Sequence, residues 1–338
     1  MKRLLLLLLL AVHGQALAGA AETRIHPENV VVVVNRSDAN SVAVGDYYLQ
    51  ARRIPPENRI EVDLRGNKET LSREQFLLLR HKIYSALQDH HKVILMAWSR
   101  PYAVDCNAIT SALTLGFDAE QCKNGCAGGR QNPYFDSPLP PASDLRLSML
   151  LPTEDVALAK AVIDRGVLSG FRLQPSGAYF LTTSDRARSS RSAFFPPEAT
   201  LSLHQLQIHR LEANFIENRQ DVMIYHTGQA NVPKLETLGF RPGAIADHLT
   251  SYGGKLSGNG QMSVLKWLEA GATASYGTVS EPCNHWQKFP NSSVLLKHYL
   301  NGDTLIEAYW KSVAWPAQGL FVGEPLAAPY CFACYLAP

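Results

Sequence analysis

Past its first twenty or so residues the sequence has no apolar run approaching the ~20 residues a membrane-spanning helix needs, so no span is expected in the body of the chain. It also lacks an excess of either charge. With Lys2 and Arg3 set aside, the lysines and arginines equal the 30 acidic residues. A nucleic-acid-binding face is strongly basic, so no nucleic-acid partner is expected. No internal repeat is present, which excludes solenoids and propellers. Cysteine is scarce, six in 338 residues. No histidine lies near Cys122 and Cys126 to complete a zinc half-site, and His204 and His209 stand five apart, a poor spacing for sharing a metal. Neither a metal nor a cofactor is expected.

What is present begins with a leader. Lys2 and Arg3 precede an apolar run from Leu4 to Val12, and Ala16-Leu17-Ala18 fits a small-residue cleavage site. This is the pattern of a secretory signal peptide over residues 1–18. It leaves 19–338 as a single exported domain, periplasmic or extracellular. All six cysteines lie in that part, and an even count in an exported chain favours disulfides. Cys106, Cys122, Cys126, Cys331 and Cys334 are disulfide candidates in two clusters, with Cys283 standing apart and the pairing open. Cys331 and Cys334 have redox-motif spacing but lack the strand-then-helix context of such a site, which favours a structural role.

Val30–Asn35 is a β-branched run without polar alternation, as in a strand covered on both faces. Residues 41–53 are predicted helical, stopping before Pro55-Pro56, and 59–64 form a short strand. Ser72-x-x-Gln75 matches a capping box for a helix presenting Phe76, Leu79, Ile83 and Leu87 on one face. Residues 93–98 are the next buried strand. This alternation predicts βαβ units and a mainly parallel sheet, with its functional edge at the carboxyl ends of the strands. Residues 100–147 break the rhythm with three cysteines, Gly125, Gly128, Gly129 and several prolines. They form a long insertion, which in a compact domain is commonly functional. The alternation then resumes. Strands are predicted at 148–151, 178–182, 222–226, 244–250 and 272–279. Helices are predicted from 152 to Gly166 and over 201–218, 262–270, 293–300 and 304–314.

Three strand ends carry the candidate chemistry. The first is His226-Thr227-Gly228, after an apolar run. A histidine there can serve as a base near neutral pH; the alternative is a structural histidine bonded to a neighbouring loop. Gly228 permits a sharp turn and close approach of a substrate to the backbone, so Thr227 and Gly228 are candidate substrate contacts. The second is Thr250-Ser251-Tyr252-Gly253-Gly254. Adjacent parallel strand ends lie about 5 Å apart, so Ser251 can meet His226 as a nucleophile, with Thr250 and Gly253 at the substrate and glycine N–H groups as an oxyanion hole. The alternative is a polar turn. The third is Glu281-Pro282-Cys283-Asn284-His285-Trp286. Cys283 is a possible nucleophile or a disulfide partner, roughly 10 Å from His226 at the strand level. Glu281 and Trp286 complete the substrate-contact set, and Glu281 can instead fix its own loop. Asp221 and Asp247 lie near the same strands.

This order of strand ends resembles the caspase-like fold and is similar to the gingipain-type cysteine peptidases. In those, a histidine ends one strand and the nucleophilic cysteine ends the next. A Gly-Ala-rich strand, two helices and a Gly-Asp-Pro motif follow. Gly271-Ala272-Thr273-Ala274-Ser275-Tyr276-Gly277 and Gly323-Glu324-Pro325-Leu326 occupy those places. The resemblance implies an α/β three-layer sandwich with a mainly parallel sheet and helices on both faces. His226 transfers by position. The nucleophile does not, because Thr250-Ser251 stands where the cysteine would be, and a hydroxyl is far less acidic than a thiol.

More specifically, the chain resembles a family of exported proteins of unknown function from bacteria that carry exosortase, a membrane protein-sorting system. The matching stretches are Val30–Asn35, Arg52-Arg53-Ile54-Pro55, Leu249-Thr250-Ser251-Tyr252-Gly253-Gly254, Gly277-Thr278-Val279-Ser280-Glu281-Pro282-Cys283, Lys288-Phe289-Pro290 and Glu307-Ala308-Tyr309-Trp310. The resemblance implies a polypeptide substrate or an exported protein partner. One reading is a catalytically silent domain that binds polypeptide tails or envelope partners. The other is a hydrolase or transpeptidase using His226 with Ser251 or Cys283. A weaker third, from family context alone, is a role in extracellular polymer assembly.

Overall fold

The computed structural model describes residues 24–332; the leader and Cys334 lie outside the described residues. In chain order the elements are β1 (Val30–Asn35), α1 (Ala39–Arg52), β2 (Arg59–Val62), β3 (Thr70–Leu71), α2 (Arg73–Tyr84), β4 (Val93–Ala97), β5 (Ala103–Val104), β6 (Asn107–Ala108), α3 (Ile109–Leu115) and α4 (Ala119–Lys123). They continue with β7 (Leu147–Leu151), α5 (Val156–Leu168), β8 (Ser176–Thr182), β9 (Ala199–Leu201), β10 (Leu206–Glu212), β11 (Val222–Thr227) and β12 (Phe240–His248). The last are α6 (Leu265–Ala270), β13 (Ala274–Thr278), α7 (Ser292–Leu300), α8 (Leu305–Ser312) and β14 (Gly319–Gly323).

Eleven strands form one sheet in the order β2-β1-β4-β7-β14-β13-β12-β11-β8-β10-β9. The amino-terminal half, β2-β1-β4-β7, is parallel throughout. So is the run β13-β12-β11-β8-β10. Between them, β14 pairs antiparallel with β13 and meets β7 at a single residue pair, Val322–Leu150. This is the expected α/β sandwich with a mainly parallel sheet. Every residue of β1, β4 and β7 is buried, which explains their unbroken apolar sequences.

Helices cover both faces. The chain leaves β1 for β2 through α1 and returns past β1 to β4 through α2, so right-handed crossovers put α1 and α2 on opposite sides. Helix α1 packs against α5, and α5 against β12 and α6. Helices α7 and α8 pack together on the other face, where the Trp310 indole of α8 donates to Ser148 O.

The carboxyl ends of both halves gather on one edge. Tyr102, after β4, approaches Ser257, after β12, to 3.5 Å, and Cys126 of the insertion is bonded to Cys283, after β13. On the opposite edge Arg52, at the end of α1, grips Glu324 with two hydrogen bonds of 2.8 and 2.6 Å. Tyr48 adds a third bond to Glu324 at 2.8 Å.

Two predicted elements differ from what forms. The helix expected over 201–218 is absent; β9 and β10 stand there. Leu206 and Ile208 are buried and alternate with exposed or half-exposed neighbours, a period of two that runs as an edge-side strand. Helix α5 also runs through Gly166 to Leu168, because Gly166 serves close packing against Glu324 and not termination.

Candidate functional site

The strand register decides where His226 points. β11 and β12 are parallel, with His226 opposite Asp247 and Thr227 opposite His248. Successive strand residues face opposite ways, so His226 and Asp247 share one face, and Thr227 and His248 share the other. His248 accepts from the Trp267 indole of α6 at Nδ1 (2.9 Å) and donates from Nε2 to Met262 O (3.0 Å). His226 lies beneath α7 on the opposite side, with Nδ1 2.8 Å from the Ser292 hydroxyl and Nε2 3.2 Å from Asp247 Oδ2. The second contact is an ion-pair approach off the hydrogen-bond direction.

Asp247 is held in turn by the Arg191 guanidinium at 2.5 Å. Arg191 also donates to Thr227 O at 2.9 Å and Asp247 O at 3.2 Å. Ser292, His226 and Asp247 are 0 % exposed and Arg191 is 1 % exposed. Burial is the largest influence on His226 and lowers its pKa; Asp247 pulls the other way without prevailing. For Asp247 burial raises the pKa, but Arg191 and then His226 outweigh it and hold the carboxyl at about 2. The imidazole is neutral over an ionised Asp247–Arg191 pair. A serine, a histidine and an aspartate are thus in line, yet nucleophilic catalysis requires a substrate carbonyl to touch the hydroxyl. None of the three has exposed surface for a substrate to reach.

The rim above β11 is occupied by the chain itself. The segment after β8 folds across the strand ends. A Cβ on Gly228 would stand 2.0 Å from Arg188 O, so this glycine admits the protein's own backbone, not a substrate's. Thr227 is fully buried. The Thr250 hydroxyl accepts from Arg188 Nε (3.1 Å) and donates to Gln261 Oε1 (2.7 Å). The backbone N–H of Tyr252 is taken by Gln261 Oε1 and that of Gly254 by Thr278 O, so neither is left to form an oxyanion hole. Gly253 is buried against His248, and its carbonyl accepts from Val264 N. Ser251 is half-exposed on the turn, its carbonyl bonded by the Thr278 hydroxyl. His226 is engaged with Ser292 and Asp247, not with Ser251.

Cys283 has no free thiol, because it is disulfide-bonded to Cys126; a thiolate role for it is corrected on that ground. Cys106 pairs with Cys122, and Cys331 is also disulfide-bonded. Glu281 takes the loop-fixing role, accepting from Cys283 N at 2.9 Å. Trp286 packs on Phe194 with ring centres 4.3 Å apart. The insertion reaches this edge: Ser280 donates to Cys106 O, and the His285 ring lies 2.8 Å from Cys126 O. A cleft of about 310 Å³ remains between the halves, walled by Tyr102 and Tyr252 and lined by Glu69, Asp105, Glu281 and Lys255. Among the described residues no cluster of His, Cys, Asp or Glu fits a metal.

No family model and no curated protein matches this chain. Among solved structures, one described as "Structure of Protease" superposes with a TM-score of 0.54 at 8% identity, over 91% of this chain and 79% of its own. The chain shares its fold with a protease. A second, the Arg-specific cysteine proteinase gingipain R, aligns with a TM-score of 0.43 at 11% identity, over 90% of this chain and 79% of its own. At 8% identity the first likeness carries architecture and no activity.

Asp247, Arg191 and Ser292 are the partners that sequence reasoning did not bring to His226. The available signal was positional. His226 and Asp247 each precede the last residue of their strands, so parallel pairing sets them side by side.

Proposed function

We propose that this chain is a peptidase-related domain that holds a polypeptide in the cleft at the carboxyl edge of its sheet without cleaving it. The observation that carries the reading is the placing of His226. The histidine at the expected strand end is sealed beneath α7 and committed to Ser292 and Asp247. The disulfide at Cys283 supports it by removing the alternative nucleophile. The cleft supports binding. Half-exposed Tyr252 stands at its wall, and three carboxylates against one lysine favour a segment with a basic side chain. Family resemblance makes an exported protein of an exosortase-type sorting system the expected partner.

A peptide-array screen tests this, followed by titration and mass analysis of each bound peptide. Peptides with a basic residue should bind and be recovered intact, and Tyr252→Ala or Glu281→Gln should weaken them about tenfold, some 1.4 kcal/mol. Cleavage that Ser251→Ala abolishes would overturn the reading in favour of the hydrolase.

A further inference from the structure

A second cavity lies on the same edge beside the cleft: Asn67 and Arg100 line it, each two residues before Glu69 and Tyr102 of the cleft. It measures about 410 Å³ and opens where β1, β4 and β7 end. In the order β2-β1-β4-β7 the crossovers leave β1 and β4 in opposite directions, so a crevice opens between their carboxyl ends. Open α/β sheets bind ligands at such switch points.

The polar groups in the cavity are unevenly spent. The Ser99 hydroxyl accepts from Thr153 N (2.9 Å) and Glu154 N (2.8 Å), which leaves its own O–H to donate. Thr153 is 1 % exposed, and its hydroxyl has no partner. A buried unpartnered hydroxyl carries an uncompensated desolvation penalty, which a ligand oxygen would relieve. Arg100 flanks these two, donating to Asn67 Oδ1 at 3.2 Å and pairing with Glu154 at 3.4 Å. The deep end is therefore rich in donors. Asp38 and Glu154 supply acceptors at the mouth, although Asp38 already spends one oxygen on Asn40 N (3.0 Å).

We propose that this cavity binds a small amino-acid-like zwitterion. Its carboxylate sits against the Ser99 and Thr153 hydroxyls and Arg100, and its ammonium faces Asp38 and Glu154. The single guanidinium is half neutralised by Glu154, so the deep end suits one negative charge and not the two of a phosphate. No aromatic side chain lines the cavity to stack on a sugar ring. This site shares no lining residue with the polypeptide cleft, and its failure would leave that reading standing.

Calorimetric titration of the mature chain with free amino acids, their N-acetyl amides and inorganic phosphate tests the assignment. At least one free amino acid should bind saturably, and its N-acetyl amide should not. Thr153→Val keeps the side-chain shape, and Asp38→Asn keeps the helix cap. Each should weaken binding about tenfold without lowering the thermal midpoint. Binding of phosphate alone, no binding of any amino acid, or binding that neither variant alters would overturn it.

Discussion

Asp247 ties the residue-scale account together, since it faces an imidazole and a guanidinium inside the protein. Removing one member of a buried pair strands the other, at about 3–5 kcal/mol. Asp247→Ala should therefore lower the free energy of unfolding by about that much in urea titration. Ser251→Ala, at a half-exposed turn, should stay within about 0.5 kcal/mol. Equal effects from the two would mean that the network is not structural. The placing of a histidine at this strand end is legible in Val222–Thr227. Its orientation is not, because a one-residue shift in strand register flips a side chain between faces. That shift is set by pairing with a strand twenty residues on. Gly228 is legible only in part for a related reason: the sequence shows that something approaches this backbone, but not that Arg188 does so.

At the scale of elements, α1 and α5 are locked to the end of β14 through Glu324. A Cβ added to Gly166 would stand 2.2 Å from Glu324 Oε2 and displace the carboxylate from Arg52. Gly166→Ala should cost about 2–4 kcal/mol, read from urea unfolding, although alanine is intrinsically the better helix former. A gain in stability would contradict this packing. The parallel half-sheet was readable because fully buried strands show unbroken apolar runs. β10 was not: beyond Leu206 and Ile208 its residues are half-exposed or exposed, so its short alternation competes with a helical reading of the same stretch. The reach of the insertion was equally hidden, because the pairing of Cys126 with Cys283 joins residues 157 positions apart.

For the whole molecule, buried neutral histidines predict acid sensitivity. His248 is depressed to about 4, first by burial, with Asp247 opposing. Its Nδ1 accepts from Trp267, so protonation breaks that bond. A histidine with a folded pKa below its unfolded value of about 6.5 contributes fully above that value. It loses the contribution as pH falls towards the folded pKa. Unfolding free energy should drop by up to about 3 kcal/mol between pH 6.5 and pH 4 from His248 alone, with His226 acting in the same direction. A flat profile across that window would contradict the burial of both rings.

The central proposal, that His226 is structural and not catalytic, is tested most directly by covalent labelling. The mature protein would be treated with serine- and cysteine-directed electrophilic probes and analysed by intact mass, beside His226→Ala and Ser251→Ala. No adduct above the heat-denatured control is the predicted result. A stoichiometric adduct at Ser251 that disappears in His226→Ala would contradict it.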